Sequence, residues 1–285
     1  MMRTTSRLLC STIAVLAAGA AQAADWSDTS IGYRTGNKFA EPFGVNDIKK
    51  NIVNLTHASG YSYGSNFFNA DLLLSDKKDP SSPNSGSGAS EVYIVYRHTL
   101  DLSKVTDSKF AFGPVRNMGI TLGFDANVKV DAGYNSRKQM LVLGPTFMMD
   151  VPGFLNVSLL LLKESNAPYN KFSSTATPRY DYKTHVMLTA AWSIPFGKLP
   201  LAFEGFANYI ASKGTNEFGG ATGPETNFDG QVMLDVGSVS GGAPNKFKVG
   251  LEYQYWRNKF GNPYKGPAGS GAFAKTPMIR AEYHF

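Results

Sequence analysis

The sequence predicts an all-β chain closed into a transmembrane antiparallel β-barrel of about 12 strands. Three observations carry this expectation. Apolar and polar residues alternate with period two over repeated stretches. Tight turns and long polar loops take turns between those stretches. An export leader precedes them, and no later stretch approaches the ~18 consecutive apolar residues of a membrane-crossing helix.

Composition agrees. Of 285 residues, 18% are charged, below the ~25% usual for soluble domains, while Phe (19), Tyr (14) and Gly (29) are abundant. These residue types suit strands and turns. The formal net charge is +6, and +4 once Arg3 and Arg7 leave with the leader. The charges are scattered with no basic helix or block, which argues against nucleic-acid binding. Cys10 is the one cysteine and lies in the leader, so disulfides and Cys-ligated metals are excluded from the exported chain.

Residues 1–24 read as a cleaved signal peptide and residues 25–285 as the barrel. Arg3 and Arg7 make a positive start, and an apolar run over 8–18 centres on Ile13, Val15 and Leu16. Ala21-Gln22-Ala23 is an A-x-A cleavage site, placing the cut after Ala23 or Ala24. Cys10 is no lipoprotein signal, because Arg7-Leu8-Leu9 lacks the small residues expected before it.

The alternation is plain over 117–125, where Met118, Ile120, Leu122 and Phe124 share one face and Asn117, Gly119, Thr121, Gly123 and Asp125 the other. Similar stretches fall at 29–38, 50–58, 65–74, 91–100, 116–126, 138–148, 155–164, 182–192, 201–210, 228–236, 247–256 and 276–285. Their lengths suit the ~9–11 residues of a tilted membrane strand. Val151-Pro152-Gly153 and residues 194–200 are tight turns, whereas 77–90, 166–178, 213–227 and 258–275 are long polar loops. Short periplasmic turns alternating with long outer loops are the barrel pattern.

The polar face is too charged for a dry core. Leu201, Phe203, Ala207 and Tyr209 oppose Ala202, Glu204, Phe206 and Asn208. Tyr33, Tyr96, Trp192, Tyr209, Tyr253, Tyr255 and Tyr283 stand where interfacial girdles would form, although aromatics are also good strand formers. The last strand ends on Phe285, a terminus that resembles the signature outer-membrane barrels present to their assembly machinery.

Asp25-Trp26-Ser27-Asp28, Ser30-Ile31-Gly32-Tyr33-Arg34, Phe112-Gly113-Pro114, Gly144-Pro145-Thr146-Phe147 and Asp150-Val151-Pro152-Gly153, in that order, resemble the Tsx family of nucleoside-specific channels and the related OmpK-type outer-membrane proteins. The resemblance spans nearly the whole exported chain through ordering and layout, with no single diagnostic motif. It implies a monomeric barrel with a narrow pore that passes nucleosides, and outer loops that serve phages and colicins as receptors.

Enzymatic signals are weak. His57, His98, His185 and His284 have no second His or Cys at metal spacing, and no motif ties Ser158 to His185 as in a lipase. No catalytic residue, metal or cofactor is expected. Strand parity instead points Arg34, Asp71, Arg97, Asp125, Glu204, Glu252 and Arg280 inward, with Asp229 and Glu282. Phe67, Tyr93, Phe206 and Trp256 share that face and offer stacking surfaces to a nucleobase. The alternative is that the charges pair across strands and the aromatics plug the barrel. The expected function is passive, selective diffusion of small solutes such as nucleosides across the bacterial outer membrane. The other reading is a plugged barrel acting as a surface receptor or adhesin.

Overall fold

The protein is described by a computed structural model covering residues 24–79, 86, 88–170 and 174–285. Residues 1–23 of the expected leader, and part of the 77–90 loop, lie outside the described residues.

Twelve long strands form one antiparallel sheet. They are β1 (Trp26–Phe39), β2 (Ile48–Tyr61), β3 (Gly64–Ser75), β4 (Ser90–Asp101), β5 (Val115–Val130) and β6 (Arg137–Met149). The second half is β7 (Phe154–Asn166), β8 (His185–Pro195), β9 (Leu201–Ile210), β10 (Glu225–Asp235), β11 (Phe247–Arg257) and β12 (Phe273–His284). Each strand pairs with its sequence neighbours, and β1 pairs with β12 from Ser30↔His284 to Thr35↔Ile279, which closes the sheet. Closure leaves no edge with unpaired backbone groups, the condition for a sheet to sit in lipid.

All twelve expected stretches fall on these strands. The structure shifts two of them: 182–192 becomes His185–Pro195, and 228–236 becomes Glu225–Asp235. The strands also run into the loops expected from sequence, taking Asn166, Glu225 and Phe273.

One rim carries both ends of the barrel and the connections 62–63, 102–114, 150–153, 196–200 and 236–246. Two of these hold single-turn helices, α1 (Leu102–Thr106) and α2 (Val236–Ser240), each capped by an aspartate side chain, Asp101 or Asp235, that accepts a backbone N–H. The other rim carries the loops 40–47, 76–89, 131–136, 167–184, 211–224 and 258–272. Long loops mark it as the outer rim. There, Tyr134–Asn135, Tyr169–Asn170 and Thr175–Ala176 pair into a separate small sheet.

Candidate functional site

Side chains on the barrel separate by parity. Ile31, Leu55, Leu72, Leu122, Leu143, Leu161, Leu188 and Ile279 point outward and are exposed, and Leu251 is 70% exposed. Of their neighbours in sequence, Ser30, Asn54, Thr121 and Glu252 are polar and buried, while Val142, Leu160, Leu162 and Met187 form one apolar inward patch. An apolar outside around a polar inside, with no strand edge, is stable only in a bilayer. The chain is an outer-membrane β-barrel.

Of the aromatics expected in interfacial girdles, Tyr33, Tyr209, Tyr253 and Tyr283 are exposed on that outer surface, but Tyr33 lies mid-strand beside Leu251 and Ile279 and not at an interface. Trp192 departs from them. It faces outward yet is only 8% exposed, because its indole lies over Gly205 and packs against Phe203 and Phe228 at centroid distances of 5.3 and 5.8 Å.

The candidate site is the lumen. All eleven side chains expected there lie on the inward face, and the structure sorts them into groups. Asp71, Arg34, Glu252, Arg280 and Glu282 form a ladder of alternating charge across β3, β1, β11 and β12. Arg34 reaches Asp71 at 2.6 Å and Glu252 at 3.5 Å, and Arg280 reaches Glu252 at 2.9 Å. His284 extends the ladder from Glu282 to Asp28 at 2.8 Å. Arg97 pairs with Asp125, which also accepts the Tyr93 hydroxyl at 3.1 Å. Glu204 accepts from Ser193 and Gln231 and faces Lys248 at 3.6 Å, while Asp229 accepts from Gln254. Arg34, Asp71, Arg97, Asp125, Glu252 and Arg280 are therefore paired with one another along the wall, whereas Glu204 faces Lys248 and Asp229 meets Gln254.

The four aromatics divide. Tyr93 packs against a lumen cluster of Met140, Val142, Leu160, Leu162 and Met187. Trp256 donates to Glu225 at 2.6 Å, meets Phe260 edge-on at 4.8 Å and lies 4.7 Å under the Lys259 ammonium. Both rings are occupied by packing. Phe67 and Phe206 are free, at 41% and 38% exposure. They sit on β3 and β9, six strands apart in the closed sheet and so on opposite walls. Exposed Ala191 shares this open inner half with them.

The outer half is packed with charge, and this is the part sequence reading missed. Glu41, from the β1–β2 loop, dips inward to Lys50 (2.6 Å), Lys259 (2.9 Å) and Lys129 (3.7 Å). Asp79 pairs with Lys129 at 2.6 Å and Lys50 at 3.3 Å. Across the mouth Glu164 binds Lys213 at 2.6 Å and Lys138 at 3.1 Å. Glu217, from the β9–β10 loop, takes hydroxyl bonds from Tyr134 and Tyr182. Burial pushes the Glu41 carboxyl up, but Lys129, Lys259 and Lys50 outweigh it and hold it well below the ordinary range. Burial acts likewise on Glu217, where the two tyrosine hydroxyls prevail and lower it. Lys50, Glu91, Lys138 and Glu164 already lie on the expected stretches with the inward parity, and Lys129 follows once its stretch is carried past residue 126, so parity alone would have found all five. Glu41, Lys213, Glu217 and Lys259 are loop residues with no periodic signal.

Ser158 and His185 do not form a hydrolytic pair. Ser158 stands opposite Thr189, four residues along β8 from His185, and its hydroxyl is bonded to Thr146 at 2.7 Å.

No family model and no curated protein sequence matches the chain. Among solved structures it is similar to the KdgM porin in complex with disordered oligogalacturonate, at 12% identity and TM-score 0.43, over 90% of this chain and 99% of that one. NanC porin gives 9% identity and TM-score 0.43 over 90% and 99%. The translocator domain of the autotransporter NalP from Neisseria meningitidis gives 12% and 0.43 over 99% and 96%. Within the barrel, exposed side chains such as Phe67, Phe206 and Ala191 lie in the inner half, and the charged clusters of Glu41, Asp79 and Glu164 lie in the outer half.

Proposed function

We propose that the barrel is a passive channel selective for small polar solutes with a flat ring, and that nucleosides are its solute class. The observation that supports this most is the pair of free phenyl rings, Phe67 and Phe206, on opposite walls of a lumen otherwise lined by paired charges. A base stacks on an aromatic face for ~1–3 kcal/mol, whatever its identity. The Arg97–Asp125 pair stands beside Phe67, since Arg97 is its register partner, and offers donors and acceptors to ribose hydroxyls. Weak binding at successive sites lets a selective pore conduct. The resemblance of the sequence to the Tsx family favours the same solute.

The test is single-channel conductance of the refolded barrel in a planar bilayer with adenosine or thymidine added. Saturable block by nucleoside and none by glucose is expected. Phe67→Ala with Phe206→Ala should weaken the block by about 10-fold or more, the equivalent of one stacked base. Unchanged block in the double variant would remove the stacking site, and Trp256→Ala should change it less, because that ring is already covered. The second reading, a plugged receptor barrel, is favoured by the near-complete burial of Lys50, Asn54, Asn127 and Thr276 in the lumen. Folded protein that never conducts would decide for it.

A further inference from the structure

We propose that the outer rim of β11, β12, β1 and β2 is a binding site for the phosphate groups of a phosphorylated glycolipid in the outer leaflet. The proposal rests on the barrel's place in the outer membrane and is independent of what passes through the lumen.

Five cations stand exposed at the outer ends of these neighbouring strands: Arg257, Lys265, Lys275, Lys38 and Lys49. They belong to one surface. Lys275 is the register partner of Tyr255, and Arg257 of Phe273. The Lys38 carbonyl accepts the hydroxyl of Thr276, and Phe39 and Ile48, the inward neighbours of Lys38 and Lys49, pair in register.

Among the described residues, none of the five has a carboxylate within ion-pair distance. Other exposed cations, such as Lys77, Arg137 and Lys183, share this, but these five lie together on neighbouring strands. The buried lumen lysines Lys50, Lys129, Lys138, Lys213 and Lys259 all have acid partners, and the outward Lys163 of β7 has Asp181 at 3.5 Å. A cluster of like charge held without counter-charge calls for an anion from outside the chain.

Its setting is that of a lipid interface. Arg257 lies 5.2 Å from the Tyr264 ring centroid and Lys275 4.6 Å from that of Phe273, while Tyr255, Phe273 and Tyr264 pack together at 5.0 and 5.2 Å. Aromatic rings with cations at their edge suit the headgroup level, where one side is apolar and the other charged. Below the patch an open groove of about 550 Å³ runs on the outer surface past Leu251, Ile279 and Tyr33, over Gly250. Leu251 is six residues from Arg257, about 20 Å along a strand and about 15 Å along the membrane normal at the usual tilt. That is half of a ~30 Å hydrocarbon core, so an acyl chain of an outer-leaflet lipid whose phosphate sat on Arg257 would reach the outer end of the groove, which continues inward past Val249, Leu234 and Ala281. Five cations spread over four neighbouring strands offer more positive charge than one phosphate takes up, and so fit a bisphosphorylated glycolipid better than a single-phosphate lipid.

The test is native mass spectrometry of the refolded barrel with bisphosphorylated lipid A, dephosphorylated lipid A and phosphatidylglycerol. Lipid A is expected to bind at least 10-fold more tightly than either comparison lipid, and the variant Arg257→Gln/Lys265→Gln/Lys275→Gln to lose at least 10-fold. Lys265→Arg/Lys275→Arg should retain binding, and Lys163→Gln on the far wall should change nothing. Folding of each variant is checked by its heat-modifiable migration. Equal binding by the triple variant, or no preference for the phosphorylated form, overturns the site. Phosphatidylglycerol binding as tightly as lipid A overturns the glycolipid assignment.

Discussion

Among the described residues, three lysines from β2, β5 and the β11–β12 loop converge on the Glu41 carboxylate. Its ionised form is favoured by those ammonium groups against the cost of burial, so its folded pKa lies well below the ordinary 4.5. A depressed carboxyl pKa contributes stability that is fully present above the ordinary value and is lost as pH falls through the folded one. The loop clamp at the mouth should therefore hold at neutral pH and release in acid below the usual carboxylate range. Conductance of the wild type is expected to rise on acidification through that window, and Glu41→Gln to show the raised conductance already at pH 7 with no further acid response. Removing one partner of a buried pair costs about 3–5 kcal/mol, which leaves the lysines uncompensated and the loop free. A pH profile of Glu41→Gln identical to wild type would place the acid response elsewhere.

Among strands, β9 is the one whose sequence sets an unusual contact. Gly205 has φ +150°, and a Cβ there would come within 2.2 Å of the Asp229 carbonyl oxygen on β10 and 3.1 Å of the Trp192 ring. Gly205→Ala should therefore lift the Trp192 indole out of its niche and strain the β9–β10 pairing by more than ~1 kcal/mol. Slower unfolding mobility shift than wild type in a heat-modifiability assay would contradict this; a shift at lower temperature, with Trp fluorescence moved toward that of a lipid-exposed ring, is expected. At this scale the sequence is readable where period two rules. A strand between water and lipid must place apolar side chains on alternate positions, so the twelve stretches and the inward faces of Arg34, Asp71, Glu204, Glu252 and Arg280 follow from parity alone. Pairing partners do not follow, because they depend on how far the register drifts around the barrel: Arg34 reaches over β2 to Asp71 on β3. Nor do the loop residues Glu41 and Glu217, whose inward reach is set by tertiary contacts, or the difference between a free Phe206 and a covered Trp256.

For the whole molecule, the decisive feature is the asymmetry between an open inner half and a charge-filled outer half. Among the described residues, the ammonium groups of Lys50, Lys129, Lys138, Lys213 and Lys259 share the outer lumen with the carboxylates of Glu41, Asp79, Glu91, Asp131, Glu164, Glu217 and Glu225. Seven carboxylates against five ammoniums leave a formal excess of negative charge in the outer lumen, although the exported chain as a whole is positive at +4. The local field, confined by low-dielectric walls, governs what enters. Rings of carboxylates favour cations. Reversal potentials in a potassium chloride gradient are thus expected to show potassium permeating ahead of chloride at neutral pH, against the sign of the net charge. Glu217→Gln with Glu225→Gln removes the excess and should bring the two permeabilities together. An uncharged nucleoside is indifferent to that field and is held only by ring stacking and hydrogen bonds, so its block should vary little with salt while the ion selectivity weakens as the Debye length shrinks. Nucleoside block that fell steeply with salt would instead mean that the solute is recognised by charge, and would move the site from the Phe67–Phe206 vestibule to the lysine-rich mouth.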